Sequence, residues 1–176
     1  RFTSQDTGCY GMDIGTNLIE LLRKILDEVA GDYTIRLGMM NPNHAKGFYK
    51  DLIEIYRDPR IVKFLHIPVQ SGSDNVLKAM GRDYTVSDFA IVVEEMRRQI
   101  PNIVVWTDII IGFPGETDED FEKSCELLKK IKPDFVNVSK FGLRPGTAAA
   151  GMKQLPTQII KERSVKMSEL VKELRK

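Results

Sequence analysis

Cysteine is scarce: the 176 residues hold two, Cys9 and Cys125, 116 positions apart. No disulfide framework, zinc knuckle or Cys-based iron–sulfur ligand set can be built from these alone. Long apolar runs are also missing, the longest falling far short of the ~20 residues that a membrane helix needs. No basic-then-apolar leader is present, so nothing points to secretion and a cytoplasmic protein without membrane partners is expected. An excess of either charge is absent, with 26 Lys and Arg against 25 Asp and Glu and a formal net charge of +1. That balance gives no overall field to hold an anionic polymer and argues against a stand-alone nucleic-acid clamp, while leaving room for a local basic face. Walker and GxGxxG fingerprints, a Ser-His-Asp set and a Cys-His pairing are all missing. What is present is ordinary globular material, 42% apolar and 29% charged, long enough for one domain with a sizeable core.

Short apolar strands alternate with amphipathic helices. Residues 1–5 read as the tail of a strand, followed by a loop with Gly8, Gly11 and Gly15. Helix-period stripes then mark residues 17–29 and 45–56, the latter stopped by Asp58-Pro59. Strands are expected at 33–39, 61–67, 103–111 and 134–141. The third of these is β-branched on both faces, as when both are covered. A short helix ends near Met80, a longer one starts at Thr85 with Asp88 three residues on, and Thr117 with Asp120 starts another. Residues 142–155 read as a long loop and 157–174 as the last helix. Repeated crossovers of this kind imply an α/β fold with a parallel sheet, either an open doubly wound sheet or part of a β/α barrel. Odd polar and glycine residues collect in the loops after strands, which suits a barrel.

Several residues carry two readings. Asp108, inside an apolar strand, is either an acceptor or acid–base group for a ligand, or a carboxylate tied to local amides or to a base such as Lys140. Residues 116–126 hold six acids and one base and read as a solvated face, with helix dipole and capping explaining Asp118, Glu119 and Asp120. His44 falls at a helix start. His66 faces a ligand or satisfies a core hydrogen bond. Arg144, in Gly142-Leu143-Arg144-Pro145-Gly146-Thr147, either holds an anion or bridges loop and sheet. Residues 161–176, with six bases and three acids, are an outer helix face or an RNA contact.

Four segments together are far more specific. Thr3-Ser4-Gln5-Asp6-Thr7-Gly8-Cys9-Tyr10-Gly11, Leu65-His66-Ile67-Pro68-Val69-Gln70-Ser71-Gly72-Ser73-Asp74, Thr107-Asp108-Ile109-Ile110-Ile111-Gly112-Phe113-Pro114-Gly115-Glu116-Thr117 and Arg144-Pro145-Gly146-Thr147 stand in the order and spacing of the radical SAM methylthiotransferases. The resemblance covers essentially the whole chain. With Gly38-Met39-Met40-Asn41-Pro42, it is nearest to the archaeal and eukaryotic branch that modifies threonylcarbamoyladenosine in tRNA.

The resemblance implies a partial (β/α) TIM-like barrel of the radical SAM type, truncated before its second strand. The family's CxxxCxxC motif is absent. Residues 1–176 are therefore expected to be a partial radical SAM domain, inactive alone, lacking the first strand and cluster loop, an N-terminal auxiliary-cluster domain and a C-terminal RNA-binding domain. An exposed parallel edge on such a piece favours self-association. For the parent protein the implied cofactors are S-adenosyl-L-methionine and two 4Fe–4S clusters liganded outside this chain, with tRNA and an electron donor as partners. The implied activity is methylthiolation of C2 of threonylcarbamoyladenosine at position 37. The rivals are isopentenyladenosine tRNA or a ribosomal protein as substrate, and a non-catalytic α/β binding module.

By the same resemblance Ser4, Gln5 and Asp6 lie where the cofactor's methionine amino group is contacted, and Gln70 and Ser71 near its ribose and carboxylate. Asp108, Ile110 and Gly112 match the strand beside the adenosyl group. Phe141, Leu143 and Arg144 match the loop near the adenine or the substrate. Gly142 and Ala148 depart from the family's usual pattern in that loop.

Overall fold

The computed structural model describes residues 3–175. In chain order its elements are α1 (Leu18–Glu28), α2 (Pro42–Arg57), β1 (Phe64–His66), α3 (Asp74–Ala79), α4 (Val86–Gln99), β2 (Val104–Ile111), α5 (Asp118–Ile131), β3 (Phe135–Lys140) and α6 (Thr157–Leu174). Short 3-10 turns occupy Thr7–Cys9 and Ala148–Gly151. The strands are ordered β1-β2-β3, with β2 and β3 parallel and α5 as their crossover. The fold is α/β, as the alternating pattern requires. None of the described helices is long and apolar enough to cross a membrane.

Helix boundaries follow from side chains that satisfy the free N–H groups of a first turn. The Asn17 side chain accepts from the N–H of Glu20 at 2.9 Å to start α1. Asn41 accepts from Asn43 at 3.0 Å to start α2, whose first residue is Pro42. Thr117 and Asp120 form the reciprocal capping box of α5 expected from their spacing. The extended backbone of Asp58 ends α2 before Pro59.

The chain divides into two compact units, Arg1–Pro68 with Asp88–Val105, and Val69–Ser87 with Trp106–Lys176. In the first, α1 packs on α2. Leu18, Leu22, Leu52, Tyr56, Leu65, Phe89 and Met96 are buried to 2% exposure or less, each stabilising by roughly 1.5–3 kcal/mol of removed apolar surface. The Tyr56 hydroxyl donates to the carbonyl of Phe64 at 2.7 Å, so the buried phenol is not left unsatisfied.

Two expected strands of this unit are corrected. Arg1 and Phe2 lie outside the described residues, and residues 3–5 are irregular. Residues 33–39 do not form a ladder, although Ile35 bridges Ile61 and the N–H of Met40 donates to His66. The cause lies in the neighbouring segment: the N–H of Phe64 turns back to Val62 at 2.7 Å, and Lys63 caps the carbonyls of Tyr56 and Asp58. That bend removes the donors a continuous pairing needs, and shortens the strand expected at 61–67 to three residues.

In the second unit α6 packs on β3 and on α5. The two strands are pinned at their start by Trp106 stacked on Phe135, ring centroids 4.3 Å apart, with the Arg175 guanidinium 4.4 Å from the Phe135 centroid. Register then pairs Asp108 with Asn137 and Ile110 with Ser139. Burial along β2 alternates, which corrects the expectation of two covered faces. Val105, Thr107, Ile109 and Ile111 are buried, whereas Trp106, Asp108 and Ile110 share a half-buried face.

Candidate functional site

The half-buried face of β2 puts Asp108 and Ile110 side by side, because residues two apart point the same way. Gln70 lies against this strand as a single parallel bridge. Its N–H donates to the Asp108 carbonyl at 2.8 Å, and its carbonyl accepts from the Ile110 N–H at 2.9 Å. The preceding residue is held from the buried face, where the Val69 N–H donates to the Thr107 hydroxyl at 3.0 Å. Gln70 has φ of +70°, a conformation a non-glycine residue adopts at a cost of about 1–2 kcal/mol. Its half-buried side-chain amide has no partner among the described residues. Strain and an unspent amide thus coincide at one strand end.

Asp108 resolves between its two readings. The Asn137 amide of β3 donates to its Oδ1 at 2.9 Å, so the carboxylate is tied to a local amide, and no bond to Lys140 is involved. Phe141 follows β3 with its N–H on the Ile111 carbonyl at 2.7 Å and its ring edge-on to Phe113, 5.2 Å between centroids. Leu143 and Arg144 are exposed. Residues 144–147 close as a turn, the Thr147 hydroxyl donating to the Arg144 carbonyl at 2.8 Å.

Ser71 is 1% exposed, and its hydroxyl accepts from the Ser73 N–H at 3.2 Å. The Ser73 hydroxyl donates to Asp120 at 2.6 Å, and the Gly72 N–H donates to the Ser124 hydroxyl at 2.8 Å. This network fastens the loop after Gln70 onto α5. Gly72 is required there, because a Cβ would lie 2.5 Å from the Lys123 carbonyl oxygen.

The stretch 116–126 is a solvated face only in part: Asp118, Glu119, Glu122 and Glu126 are exposed, but two of its acids are not. Glu116 is 5% exposed and Asp120 is 6% exposed. The Glu116 carboxylate accepts from the Gly112 N–H at 3.0 Å and from Arg163 at 2.7 Å, while the second Arg163 nitrogen reaches Asp118 at 2.7 Å. Burial pushes the Glu116 carboxyl above its ordinary pKa, and Arg163 only partly offsets it. Burial acts the same way on Asp120, but hydrogen bonds from Ser73 and Thr117 outweigh it and hold that carboxyl low. Gly112, with φ of +79°, has no room for a Cβ, which would meet Ile160 of α6 at 2.6 Å.

Sequence reasoning also missed Arg163 and Arg82. Arg163 stands four and eight residues before the buried Met167 and Val171, so a charge on the apolar stripe of α6 was the available signal. Arg82 gave none. Its Nε is buried and finds no hydrogen-bond acceptor in the described protein. Its charge bears on Tyr84, whose hydroxyl donates to the Val69 carbonyl at 3.0 Å and is pushed by burial up to about 12.

In the first unit Ser4 and Gln5 are exposed and Asp6 half-buried. Asp6 is largely spent locally. Its Oδ1 accepts from the N–H groups of Gly8 and Asn41 at 2.9 and 3.1 Å, and its Oδ2 lies 3.5 Å from Nε2 of His44. His44 sits in the first turn of α2, as expected.

Comparison with known proteins gives this geometry a context. Residues 6–128 match the model of the Radical SAM superfamily. A probable threonylcarbamoyladenosine tRNA methylthiotransferase of Pyrococcus abyssi is 55% identical over 162 residues, covering 92% of this chain and 38% of that protein. The Homo sapiens threonylcarbamoyladenosine tRNA methylthiotransferase is 45% identical over 168 residues, covering 96% of this chain and 29% of that protein. The chain thus spans well under half the length of these relatives. Among solved structures, coproporphyrinogen III oxidase from Escherichia coli, described as a radical SAM enzyme, aligns with a TM-score of 0.69 at 17% identity. That alignment covers 88% of this chain and 36% of the other, and it bears on the fold alone.

Proposed function

Because the chain belongs to the radical SAM superfamily, we propose that the whole protein methylthiolates threonylcarbamoyladenosine in tRNA and that residues 1–176 are part of its radical SAM domain. The observation that carries this reading is the 55% identity over 162 residues to a relative named for that activity. A 4Fe–4S cluster does not fit the described residues. Among them no group of three or more His, Cys, Asp or Glu side chains can hold a metal ion, and the thiols are the exposed Cys9 and the buried Cys125. The ligands of both clusters, the first strand with its cluster loop and the two flanking domains therefore belong, in this reading, to parts of the protein outside residues 1–176. The 38% share of that relative's length leaves room for them. The described residues bind and orient.

S-adenosyl-L-methionine fits better. A buried guanidinium nitrogen without an acceptor marks a place for an anion. In the second unit Arg82 would take the cofactor's carboxylate, with Gln70 offering its unspent amide and Asp108 an acceptor to ribose hydroxyls. Ile110 and Phe141 would supply apolar contact to the adenine, and Leu143 and Arg144 the outer wall. Gly112 and Ser71 would act by holding the two loops in shape. In the first unit Ser4, Gln5 and Asp6 would serve an amino group, Asp6 through Oδ2, which no backbone N–H occupies. When bound, the cofactor supplies the adenosyl and methyl groups of the reaction. The setting is cytoplasmic, with an electron donor as partner.

Mass spectrometry of tRNA nucleosides from cells with and without the whole gene tests this. A methylthio group on threonylcarbamoyladenosine that depends on the gene is expected. Its appearance only on isopentenyladenosine or on a ribosomal protein would overturn the substrate assignment.

A further inference from the structure

We infer that the acid-free segment from Phe135 to Lys161 is a contact surface for the phosphate backbone of the tRNA; the inference rests on the reading of the substrate above. The chain holds 25 acids in 176 residues, yet none occurs between Asp134 and Glu162, the longest interval without one. The same interval holds four bases, Lys140, Arg144, Lys153 and Lys161, all exposed. None of the four side chains forms an ion pair or hydrogen bond with another described residue. Outside the interval the same unit holds paired bases as well as unpaired ones: Arg163 meets Glu116 and Asp118, Lys166 meets Glu122 and Lys123 meets Glu119, whereas Lys78 and Lys172 lack partners.

The segment also has a defined place. Phe141 packs on Phe113, Ile160 fills the space above Gly112, and Met152 approaches the position a Cβ on Gly115 would take, at 3.9 Å. It therefore covers the loop that leaves β2, next to the strand end carrying Asp108 and Ile110. Its composition suits phosphates. Lysines, neutral Thr and Gln side chains, and open backbone at Gly142 and Gly146, where a Cβ would touch nothing within 4 Å, are the groups that position nucleic acid without reading its sequence. A docked protein would call for buried aromatic anchors. Its two aromatic residues, Phe135 and Phe141, are spent on Trp106 and Phe113, and its one exposed large apolar side chain is Leu143.

The test uses the full-length protein and a tRNA carrying threonylcarbamoyladenosine, with binding followed by fluorescence anisotropy across a salt series. Lys140→Gln, Lys153→Gln and Lys161→Gln are combined, leaving Arg144 in place. The control removes three lysines that also lack partners but lie elsewhere: Lys24→Gln, Lys78→Gln and Lys172→Gln. Each lost phosphate contact lowers the slope of log affinity against log salt by roughly 0.7–0.9, so the segment variant should lose about 2 from the slope and about tenfold or more in low-salt affinity. The control should keep both close to wild type, with melting temperatures alike in all three proteins. An unchanged slope in the segment variant, or an equal fall in the control, overturns the inference while the nucleoside measurement leaves the substrate reading standing. A wild-type slope with impaired reduction by an acidic redox protein overturns it too, and makes the segment a protein dock. Failure of the wild-type protein to bind tRNA would overturn both readings, which the nucleoside measurement would confirm separately.

Discussion

The loops that leave β2 and β3 follow neighbouring parallel strands in one unit, yet they are held in opposite ways. Residues 112–117 are closed from below by the Glu116 carboxylate on the Gly112 N–H, from the side by Arg163, and from above by Ile160. Residues 142–147 are exposed throughout, and their internal bonds are the two from Thr147 to the Arg144 carbonyl. Both loops turn on glycine at positive φ, Gly112 and Gly115 in one and Gly146 in the other, so the use of left-handed backbone does not separate them. What separates them is a charge pair brought from another helix. One loop is part of the scaffold; the other is available to something outside it.

Breaking the first loop should give the largest effect. Arg163→Met leaves Glu116 buried at 5% exposure with no cation, and a widowed buried charge costs about 3–5 kcal/mol. Urea unfolding of the protein should show that loss in the midpoint with little change in slope. Glu116→Gln in the same background should recover part of it, since it removes the stranded charge. If the single and double variants were equally unstable, the pair would not be what closes the loop. Gly112→Ala comes next. An alanine at φ of +79° costs about 1–2 kcal/mol, and overpacking against Ile160 adds about 1–3 kcal/mol. Ile160→Val should return part of the second amount and none of the first.

How this difference was hidden in the sequence is physically plain. Period and capping are local, so the boundaries of α6, the β2 strand and the Thr117–Asp120 box were legible in residues a few positions apart. The bond between Glu116 and Arg163 spans 47 positions. Composition alone therefore assigned Glu116 and Asp120 to a solvated face with their exposed neighbours Asp118 and Glu119. Residues 33–39 read as a strand because Ile35 and Leu37 alternate with polar neighbours, but a ladder also needs a straight partner, and Phe64 bends back on Val62. The motif residues of the candidate site were legible as a family pattern. The backbone strain at Gln70 and the unpartnered Nε of Arg82 are properties of three-dimensional placement and left no trace in residue order.

Acid should loosen the locked side of the comparison through Asp120. Its folded pKa lies below the ordinary 3.8, so the folded state sheds this proton more readily than the unfolded chain does. Its contribution is complete above about pH 4 and is lost as pH falls through the folded value. Asp120→Asn should cost about 1 kcal/mol at neutral pH, from the weaker hydrogen bonds to Ser73 and Thr117, and the cost should vanish toward strong acid. Glu116 has the opposite sign. Its raised pKa makes stability fall as pH rises from 4.5 through the folded value, and Glu116→Gln should flatten that limb. Paired unfolding curves across pH would show the two slopes with opposite signs.

The smallest expected effect belongs to the unpaired bases on either side of the open loop. Lys140→Gln with Lys153→Gln removes two exposed cations that form no ion pair or hydrogen bond with another described residue, so the unfolding free energy should stay within about 0.5 kcal/mol of wild type. The direction follows from the neighbourhood. With no acid between Asp134 and Glu162, neutralising two of four bases relieves mutual repulsion, and any shift should be toward greater stability and fade with added salt. A fold that keeps like charges unpaired gains nothing from them in the free protein, whereas Arg163 is indispensable to its own loop. Unfolding curves at low and high salt decide the matter. A loss above about 1 kcal/mol would mean that these lysines hold the loop after β3 as firmly as Arg163 holds the one after β2, and the contrast between the two loops would disappear.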